Sequence, residues 1–133
     1  KVEVRHRDIK INDIEKLNEG TYRPGAMTPL WDAVGNAITD NDKVNDALFV
    51  VITDGMENAS KEYTSDSVKK MIKEKEEKNK WGFLYLGVGI TDFSDSFAMG
   101  INANKRVYRS NVGAGFRGMS VSASNYYKTG NVS

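Results

Sequence analysis

The sequence predicts an α/β domain built on a mostly parallel, doubly wound sheet with helices on both faces, and three observations carry that reading. The first is the run at residues 46–55, Asp-Ala-Leu-Phe-Val-Val-Ile-Thr-Asp-Gly, apolar and rich in β-branched residues until it stops at a carboxylate and a glycine. Such a run is the mark of a strand buried on both faces. The second lies ahead of it, where Leu30, Ala33, Val34, Ala37 and Ile38 recur at i, i+3, i+4, i+7 and i+8, one apolar stripe of a helix. The third lies behind it: a charged helical stretch and then another apolar run at 82–90. Strands alternating with helices in this way give parallel sheets.

With 133 residues, 39% of them hydrophobic and 28% charged, the chain is one domain spanning 1–133, large enough to fold by burying a core. It has no cysteine, which removes disulfides, zinc-thiolate centres and cysteine nucleophiles and favours a reducing cytoplasm. The 19 basic and 18 acidic residues are intermixed and leave a net charge of +1, so no strong field for nucleic acid or an anionic membrane is expected. No apolar run approaches the roughly 20 residues that cross a bilayer. The chain starts at Lys1 without a methionine or a signal-like segment, so the natural polypeptide is expected to begin upstream of it.

Taken in order, residues 1–9 alternate, with Val2, Val4 and His6 on one side and Lys1, Glu3, Arg5 and Arg7 on the other, as an edge strand guarded by charge would. His6, the one histidine, receives no catalytic role. Ile11, Ile14 and Leu17 suggest a short helical turn or irregular segment, followed by a loop at 18–27. Thr28 is then placed as the N-cap of a helix at 29–39, with Pro29 as its first residue, where a missing N–H is harmless. That helix is read as a right-handed crossover between strands. The central strand covers 47–53. A polar loop leads to a helix at 64–79, whose apolar contacts are Val68, Met71 and Ile72 and whose Lys/Glu run is a solvated face. A strand at 82–90, a short helix at 93–100, a strand at 106–112 and a closing helix at 116–128 complete the reading.

Two residues carry the chemistry. Thr28 opens a helix after a Pro-Gly loop and Asp54 ends the buried strand, so both fall at the carboxyl end of the sheet, where open α/β folds bind ligands. A hydroxyl and a carboxylate there suit one hard cation. Asp-Gly is also a common turn dipeptide, and for Asp54 that plainer reading stays open at this point.

The segments Tyr-Arg-Pro-Gly-Ala-Met-Thr-Pro-Leu-Trp-Asp-Ala-Val-Gly at 22–35 and Val-Val-Ile-Thr-Asp-Gly-Met-Glu-Asn at 50–58, in that order and followed by strands and helices in matching sequence, resemble the von Willebrand factor A family over nearly the whole chain. The resemblance implies a doubly wound fold and a metal-ion-dependent adhesion site holding Mg2+, or Mn2+ or Ca2+, with Thr28 and Asp54 as ligands. The family's other ligands come from an Asp-x-Ser-x-Ser motif that ends its first strand, and that segment is absent. Two protein ligands serve a cation that takes six oxygens, so water must supply the rest and affinity falls. The missing first strand lies mid-sheet in the family. Its gap is expected to be filled by upstream residues, a second copy or a strand of another chain.

Two further motifs are set aside. Residues 92–96, Asp-Phe-Ser-Asp-Ser, match the missing motif as letters, but they stand where a helix N-cap by Thr91 or Asp92 is expected. Residues 113–118 match Gly-x-Gly-x-x-Gly without the acidic residue and following strand that dinucleotide binding needs. The function expected is therefore a non-enzymatic protein-protein interaction module with a partial adhesion site, its cation completed by an acidic side chain of a partner protein. A metal-dependent α/β hydrolase or phosphotransferase using Asp54 is the alternative. It lacks a second carboxylate at the same strand end and a nearby histidine or cysteine base. A structural domain with a decayed cation site is the third reading.

Overall fold

The computed structural model describes residues 27–89, 94–101 and 106–109, together with Val4, Arg7, 9–13 and Lys128. Three strands form the sheet: β1 (Leu48–Thr53), β2 (Gly82–Val88) and β3 (Arg106–Arg109), in the order β1-β2-β3. Both pairings are parallel, with Phe49 opposite Phe83, Val51 opposite Tyr85, and Leu86 opposite Val107. Three helices accompany them: α1 (Leu30–Asp40) ahead of β1, α2 (Ser65–Lys78) between β1 and β2, and α3 (Ser94–Ala98) between β2 and β3. The protein is thus an α/β fold with a parallel sheet, as the alternation of apolar runs and helical stripes requires.

The core explains the topology. Leu30, Val34 and Ile38 from α1 and Val68 and Ile72 from α2 join Val51, Phe83 and Tyr85 of the strands in one cluster with Trp81, Met99 and Ile101. Each such side chain, fully buried, contributes about 1.5–3 kcal/mol. Both long helices therefore share a single face of the sheet. The opposite face forms a smaller cluster, Leu84 and Leu86 with Leu48 and Val88, to which no described helix contributes. The expectation that β1 is buried on both faces is corrected here: Val51 is 6% exposed, but Val50 and Ile52 on the other side are 38% and 50% exposed. Among the described residues β1 is the edge of the sheet and has no helix over its even-numbered side chains.

Local chemistry sets the helix ends. Thr64 caps α2 in a reciprocal box with Ser67, and Asn79 closes the helix. At the amino end of the strands, Lys75 of α2 is buried and donates to the Asp42 carbonyl at 2.5 Å and the Asp42 carboxylate at 2.7 Å, while its Nζ lies 5.6 Å from the Trp81 ring centre. The indole of Trp81 donates to the carbonyl of Val44 at 2.7 Å. These contacts fasten the turn before β1 to the end of α2.

The short turn expected near Ile11 is a 3-10 helix at Ile11–Asp13. The edge strand expected at 1–9 falls mostly outside the described residues. Of its members, Val4 is 56% exposed and in no strand, and Arg7 pairs with Asp40 at 3.0 Å. The closing helix at 116–128, apart from helical Lys128, and the glycine loop at 113–118 also lie outside the described residues. Among the described residues no helix is long and apolar enough to cross a membrane.

Candidate functional site

Thr28 is held in place by the loop that follows β1. Its amide donates to the Asn58 side-chain oxygen at 2.7 Å, and its carbonyl accepts the Asn58 amide at 3.1 Å. Its hydroxyl faces Gly55: a Cβ built on that glycine would lie 2.8 Å from Thr28 Oγ1. A side chain at residue 55 would crowd the hydroxyl, which would have to turn away or the turn would have to shift. Thr53, the last residue of β1, fixes the turn from within, its hydroxyl donating to the Gly55 carbonyl at 2.8 Å and accepting the Gly55 amide at 3.2 Å. Asp54 stands exposed between them. The structure thus seats Thr28 against the residue directly after Asp54.

The expected cap on α1 is corrected. The helix begins at Leu30, Pro29 occupies the cap position, and no side chain of that position bonds the first turn. Thr28 contributes only its carbonyl, to the amide of Leu30 at 2.9 Å. The open amides of the first turn find their acceptors across the site instead, because Glu57 Oε2 accepts Trp31 N–H at 2.9 Å and Ser60 Oγ accepts Asp32 N–H at 3.0 Å. A helix needs acceptors at its start, and here a loop from elsewhere in the chain supplies them.

Two carboxylates organise that loop, and the sequence reading gave neither of them a role. Glu57 accepts from Ala59 N–H at 2.9 Å, Ser60 N–H at 2.7 Å and Ser60 Oγ at 2.8 Å in addition to Trp31. Asp32 accepts the successive amides of Lys61, Glu62 and Tyr63 at 2.8, 2.9 and 2.9 Å. Partial burial pushes the carboxyl of Glu57 up, but its hydrogen bonds from Ser60, Trp31 and Ala59 outweigh that and hold it below its ordinary value. Desolvation likewise pushes Asp32 up, and the amides of Lys61, Tyr63 and Glu62 bring it below the usual carboxylate range. The only hint in the sequence is their place in the two motif segments. Nothing in the spacing says that Glu57 accepts the Trp31 amide from the other segment, or that Asp32 accepts the amides of residues 61–63 beyond it.

Asp95, within the Asp-x-Ser-x-Ser look-alike, is 8% exposed and accepts the Glu57 amide at 2.7 Å. It ties the start of α3 to the loop. Asp92 and the cap expected from Thr91 or Asp92 lie outside the described residues. Among the described residues no three His, Asp or Glu side chains converge as a metal cluster. The oxygen donors next to Gly55, one hydroxyl and one carboxylate, are hard ligands of the kind that Mg2+ and Ca2+ take.

Comparison with family models, with curated proteins and with solved structures finds no match to the chain.

Proposed function

We propose that the chain is a non-enzymatic protein-protein interaction module of the von Willebrand factor A type with a doubly wound sheet, in which Thr28 and Asp54 hold Mg2+ or a related divalent cation. The observation that carries this reading is the seating of Thr28 Oγ1 against Gly55, immediately after Asp54 at the carboxyl end of β1. The parallel order β1-β2-β3 supports it as well. The cation supplies a positive centre to which a carboxylate of a partner protein binds. Thr28 and Asp54 orient it, water fills its remaining positions, and affinity is accordingly weak. Exposed Val50 and Ile52 support a further element over that side of β1, from the same polypeptide, a second copy or another chain.

Calorimetric titration with Mg2+ and Mn2+ tests the reading. Binding by the native chain that Asp54→Ala and Thr28→Ala abolish is the expected result. Unchanged affinity in Asp54→Ala removes the site assignment, and metal-dependent turnover of a phosphate ester that depends on Asp54 replaces the module with a hydrolase.

A further inference from the structure

Resting on the cation reading above, we propose that Glu57 is the positioning residue of the Thr28 and Asp54 pair, acting on the site without touching the ion. Thr28 precedes α1 and Asp54 follows β1, so their spacing depends on what fastens the first turn of α1 to the loop at 55–60. Asn58 holds the backbone of Thr28, and Ser60 holds the amide of Asp32. Glu57 governs both. Its Oε2 bonds Trp31 N–H of α1 and the Ser60 hydroxyl, its Oε1 bonds the amides of Ala59 and Ser60, and its own amide is held by Asp95 of α3. One side chain thereby joins α1 to the loop, and its backbone joins the loop to α3.

The same count shows why Glu57 is not itself a ligand. A carboxylate offers about four lone-pair sites, and those of Glu57 meet Trp31, Ala59 and both donors of Ser60. No oxygen is left over for a cation. Its charge is what the site uses: four donors converge on it, and a neutral amide in its place would present N–H groups to two of them. Lys75 provides the contrast: it ties α2 to the turn before β1 through Asp42 and Trp81, at the amino end of the strands and away from Thr28 and Asp54.

The test compares Mn2+ binding by the native chain, Asp54→Ala, Glu57→Gln, Ser60→Ala and Lys75→Ala, using calorimetry and the relaxation of water protons by bound Mn2+. Native protein that binds no Mn2+, or Asp54→Ala that binds it as well as native, overturns the cation reading and this inference with it. With that reading intact, Glu57→Gln weakens Mn2+ binding about 10–100-fold, the usual effect of removing a group that orients a metal ligand. Relaxation per bound ion rises as water takes the place of the Thr28 hydroxyl. Ser60→Ala, a milder change that circular dichroism should show folded, moves affinity in the same direction. Lys75→Ala, at the opposite end of the strands, lowers the melting temperature and leaves Mn2+ affinity unchanged. If Glu57→Gln and Ser60→Ala both bind Mn2+ like native protein, or if Lys75→Ala weakens it as much as Glu57→Gln does, then Glu57 only stabilises the fold and the inference fails while the cation site stands.

Discussion

Thr28 Oγ1 lies 2.8 Å from the point that a Cβ on Gly55 would occupy, although the two residues belong to separate segments. A methyl group at 55 must push the hydroxyl away or shift the turn that Thr53 fixes. Gly55→Ala is therefore expected to destabilise the fold by about 1–3 kcal/mol, the usual effect of overpacking. Urea denaturation measures it, and Gly55→Ala in a Thr28→Ala background should recover part of the loss, because the clashing oxygen is gone.

Gly35, inside α1, lies beneath the ring of Tyr63, and a Cβ there would come within 2.5 Å of two ring carbons. Glycine to alanine in a helix ordinarily stabilises by about 0.5–1 kcal/mol. Here the sign reverses. Gly35→Ala should cost about 1–3 kcal/mol by displacing the ring, and with it the Tyr63 hydroxyl that lies 3.1 Å from Thr39 Oγ1. A midpoint in urea at or above that of native protein would contradict the packing.

Acid should weaken the domain in a definite way. Asp32, Glu57 and Asp42 all have folded pKa values below their ordinary ones, Asp32 and Glu57 through the amides that oppose burial and Asp42 through its hydrogen bond and charge pairing with Lys75. The unfolded chain then binds more protons than the folded one in the acid range, so stability rises with pH there. Their contribution is complete above the ordinary carboxylate values of about 4 and is lost as pH falls through the lower folded values. Melting temperature should be nearly flat from about pH 5 to 7 and drop below about pH 4. Asp32→Asn should be less stable at neutral pH and show a shallower acid limb.

Lys75 and Asp42 should respond unequally to substitution. Lys75 is buried, and its side chain bridges the Asp42 carbonyl, the Asp42 carboxylate and the face of Trp81. The Asp42 side chain is 70% exposed. Lys75→Ala removes packing as well as hydrogen bonds and should cost about 2–4 kcal/mol. Asp42→Ala leaves the carbonyl contact in place and should cost much less, because an exposed carboxylate contributes little to such a pair. Equal losses in chemical denaturation would mean that the carboxylate carries more of this lock than its exposure allows.

Periodicity was enough to locate α1, β1, α2 and β2 within a residue or two, because each has a repeat or an apolar run that only one kind of element satisfies. The cap of α2, which the sequence reading did not name, is nonetheless local: Thr64 and Ser67 satisfy each other. The start of α1 was not legible. Thr28 before Pro29 has the composition of a cap, yet the acceptors for Trp31 and Asp32 come from Glu57 and Ser60, far away in sequence.

By itself, then, the sequence determined that α1, β1, α2 and β2 form where they do, and it singled out Thr28 and Asp54 as oxygen donors at element ends. Only the tertiary structure decided that both long helices share one face of the sheet, that Val50 and Ile52 stay exposed, and that Glu57 and Asp32 hold the loop to α1. The reason is one of range. Secondary structure follows hydrogen bonds and side-chain repeats within a few residues, whereas burial and the filling of open helix ends depend on which distant segments the chain brings into contact.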